Sequence, residues 1–191
     1  MNTTENHNNT NEIYENIWKC LDKGVNDRFS DYHTFSLATA PKNIAEIRTV
    51  VLRGYDRKNQ SIIFHTNNLT SKISEIKNNP NVGALFYDKK EKIQIRCNGD
   101  AVINNMDEYC KDRWNKMSAQ SQECYYQNIS PGENIEYPQI VKNKLENKLS
   151  ENFTVITINI NKIDWLYLSS KGHTRVKFLK NDGFTGQWIA P

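Results

Sequence analysis

The chain has little that would staple or anchor it. Only four cysteines occur in 191 residues: Cys20, Cys97, Cys110 and Cys124. None stands in a C-x-x-C arrangement and no histidine pair lies near them, so the tight ligand spacing of a zinc site is missing and no metal is expected. They read as small buried or half-buried thiols of a reducing cytoplasm. No apolar run approaches the ~18 residues of a membrane helix, so no membrane span is expected. The opening MNTTENHNNT has no basic stretch followed by an apolar core; it reads as a polar, frayed tail over residues 1–11 rather than a secretory signal. An excess of charge of one sign is missing too, since 25 Lys and Arg face 22 Asp and Glu, a formal net charge of +3. A general nucleic-acid coat would carry a denser basic footprint, so no nucleic-acid partner is expected, although a local anion pocket is compatible with this balance.

What is present suits one domain, residues 12–191. A chain of this length buries about 70% of its unfolded surface and needs no staple. Its polarity comes largely from 26 asparagines spread between regularly patterned segments, which is compositional bias rather than disorder. Ile13, Ile17 and Leu21 recur at four-residue spacing beside Trp18, predicting an amphipathic helix over 12–23 with Gly24 as its stop. From Thr34 the texture turns to β: strands over 34–40, 45–55 and 61–66, then a short helix capped by Thr70 or Ser71 that ends before Pro80. Strands follow over 82–87 and 92–103, where Ile93, Ile95 and Cys97 alternate with Gln94, Arg96 and Asn98. Helical patterns occupy 106–118 and 139–150, and strands return over 153–160, 163–168, 173–180 and 185–189. Many strands on short connections with few helices predict a mainly β protein, a closed or partly closed antiparallel barrel with peripheral helices.

The chemistry concentrates in Arg48-Thr-Val-Val-Leu-Arg53, Phe64-His65-Thr66-Asn67 and Thr70-Ser71-Lys72. Two arginines in an apolar strand are costly to bury unless an anion pairs with them. Thr66, Ser71 and Lys72 lie just ahead of a helix N-terminus, where free N–H groups and the helix dipole favour phosphate. Arginine brings bidentate contacts and lysine a point charge, so the three segments outline a phosphate cradle. Each piece alone also fits a solvent-facing strand or an ordinary helix cap. Period 2 places Arg48 and Arg53 on opposite faces unless a bulge intervenes.

These segments resemble the pyridoxamine 5'-phosphate oxidase family, whose members are FMN-binding split β-barrels. The likeness continues in order through Asn79-Pro80, Ile93-Gln94-Ile95-Arg96 with Gly99, Tyr109 and Arg113, Ser130-Pro131-Gly132, Ile163-Asp164-Trp165, His173-Thr174-Arg175 and Ala190-Pro191. It implies FMN as cofactor, with Arg48 and Lys72 on its phosphate, hydroxyls from Thr66 and Ser71, and His65 close by. It implies that Val50, Val51, Leu52 and Arg53 line the isoalloxazine ring. Gln94 would reach the flavin across a homodimer interface, and Arg175 would lie near the flavin's pyrimidine edge. For substrate, Arg53, Tyr109, Arg113 and Ser118 match positions that grip a phosphate, and His173 matches a histidine that contacts the substrate ring. Tyr109 and Arg113, four apart, would share a helix face, which equally suits an aromatic–cation surface pair. Three departures stand out: Ser71 replaces a second basic residue, Lys171 stands where the family has arginine in an Arg-x-His pair, and Trp188-Ile189-Ala190-Pro191 lacks the family's arginine near the terminus. The resemblance implies a cytoplasmic FMN-dependent oxidase that converts pyridoxamine or pyridoxine 5'-phosphate to pyridoxal 5'-phosphate. A flavoprotein acting on another small molecule, or binding flavin without turnover, is the alternative.

Overall fold

The apolar four-residue repeat near the start forms α1 (Thr10–Asn26), which buries Ile13, Ile17, Trp18 and Leu21. In this computed structural model residues 7–127, 129–137 and 148–191 are described. The helix begins two residues earlier than the repeat predicts because Asn9 caps it, its side chain accepting from the Asn11 and Glu12 amides. Just before the cap, the His7 ring packs on Trp165 and Tyr167, so the tail expected over residues 1–11 contains residues built into the fold. Gly24 does not stop the helix. A Cβ there would sit 2.3 Å from the Tyr32 carbonyl oxygen, so the glycine lets the following segment cross closely instead.

Eight strands form one antiparallel sheet: β1 (Thr34–Thr39), β2 (Glu46–Asp56), β3 (Ser61–Asn67), β4 (Asn81–Asp88), β5 (Ile93–Asn105), β6 (Phe153–Tyr167), β7 (Thr174–Leu179) and β8 (Gly186–Trp188). The order is β3-β2-β1-β4-β5-β6-β7-β8, and a further β3–β6 pairing closes the first six into a barrel. The two patterns expected at 153–160 and 163–168 are a single strand, β6. Its first half pairs with β3 from Phe153 to Asn159, and its second half pairs with β7 from Lys162 to Tyr167. The handover lies opposite a bulge at Asn98/Gly99 on β5. A Cβ on Gly99 would lie 2.1 Å from the Asn159 carbonyl oxygen, so this close approach requires glycine.

Period 2 sends Phe35, Leu37, Leu52, Phe64, Phe86, Ile95 and Ile158 into the barrel, where α1 packs against them. Each such side chain contributes about 1.5–3 kcal/mol by leaving water. In β3 and the first half of β6 the alternation fails, since both faces are buried. The outer face carries Ile63, Phe153 and Val155 under Cys110 and Trp114 of α3 (Glu108–Asn115), a second core. The helix expected over 106–118 is therefore shorter, and Ser118 caps a separate turn of helix, α4 (Ala119–Glu123). Between β3 and β4 lies α2 (Ser71–Asn78). The helical pattern at 139–150 falls mostly outside the described residues.

Candidate functional site

Strand β2 distributes the site. Arg48, Val50 and Leu52 point to the barrel side, and Arg53 to the outside. A bulge between Leu52 and Gly54 in the β2–β3 pairing falls on Arg53 without bringing it to the Arg48 face. The two arginines therefore serve different clusters. Leu52 is fully buried in the core, so it offers a ligand its backbone and not its side chain.

The first cluster sits at the barrel mouth where β1, β2, β3 and α2 meet. Arg48 Nη2 lies 2.6 Å from Glu75 Oε2, and its Nη1 donates to Thr39 Oγ1 at 2.5 Å. Thr39 in turn donates to Glu75 Oε2 at 2.6 Å. Burial by itself would raise the Glu75 carboxyl; the bonds from Thr39, Ser71 and Arg48 outweigh it and hold the group below its ordinary range. Beside this triad Lys72 Nζ donates to Thr66 Oγ1 at 3.2 Å, and the Thr66 and Thr70 hydroxyls are 3.3 Å apart. Burial and then the Arg48 guanidinium lower the Lys72 ammonium, while Glu75 works against that. Thr70 occupies the N-cap position of α2 without capping through its side chain; the hydroxyl donates to the Asn67 carbonyl instead. A guanidinium, an ammonium, two hydroxyls and an uncapped helix start thus converge. That donor set fits a phosphate ester.

The second cluster lies on the outer face of β2 and β3 under α3. Arg113 Nη1 donates to the Arg53 carbonyl at 3.4 Å, and its Nη2 donates to the Tyr109 hydroxyl at 3.2 Å with the guanidinium over the Tyr109 ring. The helix spacing does place Tyr109 and Arg113 together. Gly54 makes the room: a Cβ there would meet Arg113 Nη1 at 2.8 Å, a constraint the sequence reading missed. His65 packs edge-on to Phe153, and its Nε2 is buried without a hydrogen-bond partner. Burial, then the Arg53 and Arg113 charges, push its pKa down to about 3, so the imidazole is neutral. Burial raises Tyr125 to about 12 against the pull of Arg53. Ser118 is occupied as the α4 cap, its oxygen accepting from the Ser121 amide.

The third group lies on β5, β6 and β7. Asp164 is buried and accepts from Arg96 at 2.5 Å and from Arg175 at 3.0 and 2.9 Å. Burial would raise this carboxyl, but the Arg175 and Arg96 bonds lower it overall. Gln94 lies on β5 two residues from Arg96, opposite Leu166, which pairs with Arg175. His173 is held in its own turn, its Nδ1 accepting from the Ser169 amide at 3.0 Å. The chain thus carries two cation clusters on either side of β2 and a third polar group across the barrel. Sequence reading singled out neither Glu75 nor the role of Asp164, because the cations that pair with them come from other elements. Among the described residues no helix is long and apolar enough to cross a membrane, and no cluster of three metal-ligating side chains occurs.

Residues 15–105 match the family described as pyridoxamine 5'-phosphate oxidase, FMN-binding domain. A pyridoxine/pyridoxamine 5'-phosphate oxidase of Pelagibacter ubique is 27% identical over 189 residues, covering 93% of this chain and 88% of its own. Two solved structures share the fold. A pyridoxamine 5'-phosphate oxidase-related, FMN-binding protein of Nostoc punctiforme superposes with a TM-score of 0.74 at 20% identity, over 93% of this chain and 96% of its own. PhzG of Burkholderia lata, solved with tetrahydrophenazine-1-carboxylic acid, also gives 0.74, at 15% identity over 100% and 98%. With its closed six-strand barrel the chain has the fold of the FMN-binding split-barrel proteins, it is similar over residues 15–105 to the FMN-binding domain of the pyridoxamine 5'-phosphate oxidase family, and its cofactor is FMN.

Proposed function

We propose that this protein is an FMN-dependent oxidase that converts pyridoxamine or pyridoxine 5'-phosphate to pyridoxal 5'-phosphate, with oxygen as electron acceptor. The observation that carries the reading is the pair of separate cation clusters on opposite faces of β2, one for each of two phosphates. Arg48, Lys72, Thr66 and Ser71 hold the cofactor phosphate. Arg53 and Arg113, with the Tyr109 hydroxyl, hold that of the substrate. When bound, FMN supplies the two-electron chemistry that takes the substrate carbon to an aldehyde. The chain's own residues fix the geometry: two anchored phosphates leave the substrate little freedom, and such orientation is a large share of catalysis in this class of reaction. His65 remains neutral beside Arg53 and Arg113, so it leaves their charge to the substrate anion.

The site is completed by a second copy of the chain. Tyr87 is an exposed aromatic side chain paired with Gln94 on the barrel's outer face, and Ile47 is a second exposed apolar side chain on that face, in line with Asn98; a two-fold axis there would bring Gln94 and Arg175 to the partner's flavin. A second reading, another small molecule on the same FMN site, is favoured by one feature. Lys171 and His173 belong to a turn that holds His173 Nδ1 on its own backbone, which removes one contact expected for the pyridine ring. The test is anaerobic: pyridoxamine 5'-phosphate added to FMN-loaded protein should bleach the flavin absorbance. A flavin still oxidised at millimolar substrate would leave the second reading standing.

A further inference from the structure

The phosphate cradle contains an anion of its own. Glu75 projects from α2 between the cradle's elements, with only 9% of its side chain exposed. It takes the Arg48 guanidinium at 2.6 Å and the Thr39 hydroxyl at 2.6 Å, with the Ser71 hydroxyl alongside. Two of the expected phosphate donors, Arg48 and Ser71, are therefore turned toward a carboxylate of the same chain. Lys72 shares its neighbourhood, and its charge responds to both Arg48 and Glu75.

Arg48 and Lys72 supply two positive charges and Glu75 removes one, leaving +1 to face a phosphate ester of about −1.5 to −2. Without Glu75 the balance would be nearly even. The empty cradle poses the opposite problem, because two half-buried cations with no anion are costly to desolvate. The carboxylate relieves that cost, and it also holds the Arg48 fork in one orientation.

We propose that Glu75 is the built-in counter-ion of the cofactor phosphate site, a positioning and specificity residue that stabilises the empty cradle, presents Arg48, and competes with the phosphate of FMN. This rests on the reading of Arg48 and Lys72 as the phosphate ligands. It makes affinity for FMN weaker than the donor set alone would give, and it makes the empty protein more stable.

The test compares Glu75→Gln and Glu75→Ala with the unaltered protein, measuring FMN and riboflavin binding by flavin fluorescence and the thermal midpoint of the flavin-free protein. Glutamine keeps an acceptor for Arg48 and Thr39 but drops the charge. It should bind FMN at least tenfold more tightly, leave riboflavin affinity unchanged, and lower the flavin-free midpoint. Alanine should also raise the preference for FMN over riboflavin, by less than glutamine because Arg48 loses its anchor. If the glutamine variant does not fold, the alanine ratio decides. Unchanged or reduced preference for FMN in a folded variant, with the unaltered protein still preferring FMN, overturns the proposal alone. An unaltered protein that binds riboflavin as tightly as FMN overturns the phosphate reading and the proposal with it.

Discussion

Replacing His65 with phenylalanine should flatten the pH dependence of stability in a way that can be worked out beforehand. The imidazole is packed against Phe153 beside Arg53 and Arg113, and its pKa falls from an ordinary 6.5 to about 3. The folded state therefore refuses a proton that the unfolded chain accepts between those two values. Stability is complete above pH 6.5 and is lost as the pH falls toward 3, because the unfolded state binds more protons over that window. At pH 5 the unfolded chain gains the difference between 6.5 and 5 at about 1.4 kcal/mol per unit, so His65 costs the fold about 2 kcal/mol relative to pH 8. Glu75 and Asp164, held below their ordinary carboxylate values, lose stability in the same direction but only at lower pH. Urea unfolding of the His65→Phe variant and the unaltered protein at pH 5 and pH 8, in phosphate-free buffer so that no anion sits between the arginines, isolates the imidazole. The unaltered protein should lose about 2 kcal/mol more than the variant across that interval. Equal losses would refute the neutral, charge-flanked histidine.

Gly54→Ala should push the end of the Arg113 side chain from its place, since the new methyl meets Nη1 at 2.8 Å. Because a flexible tip can move, stability should change by less than ~1 kcal/mol, while KM for the phosphorylated substrate rises roughly ten- to a hundredfold as a charge-assisted contact is lost and FMN binding stays unchanged. Gly99→Ala meets backbone instead, 2.1 Å from the Asn159 carbonyl oxygen, and should destabilise the protein by about 1–3 kcal/mol or more, read as an earlier urea midpoint. Sedimentation at micromolar concentration should show a dimer whose dilution releases flavin, and a flavin-loaded monomer would refute the shared site.

Most strands were legible because they obey period 2 or form apolar runs between turns: β1 to β5 fall within a few residues of the expected ranges. Where legibility failed, the cause is tertiary. β6 looked like two strands because its partners change from β3 to β7 midway, and no local pattern marks a change of partner. Gly24 resembled a helix stop, but the need for glycine there comes from Tyr32, eight residues on. Within the site, the opposite faces of Arg48 and Arg53 followed from strand parity, and the Tyr109–Arg113 pairing from helix spacing. Glu75 was hidden as an ordinary acid on a short helix, although its partners Arg48 and Thr39 are 27 and 36 residues away. Asp164 was likewise silent, since Arg96 approaches it from another strand, 68 residues distant. Acids that organise a site by long-range pairing leave no periodic signal.

Arg48 and Lys72 at the mouth of the barrel are the proposed holders of the cofactor phosphate. The most direct test measures equilibrium binding of FMN and of riboflavin to the unaltered protein and to Arg48→Ala. The unaltered protein should clearly prefer FMN, and the substitution should cost ~1.5–3 kcal/mol of FMN affinity with riboflavin binding untouched, the scale of a hydrogen bond to a charged group. Equal affinity for the two flavins, or an Arg48→Ala variant that binds FMN as before, would contradict that assignment.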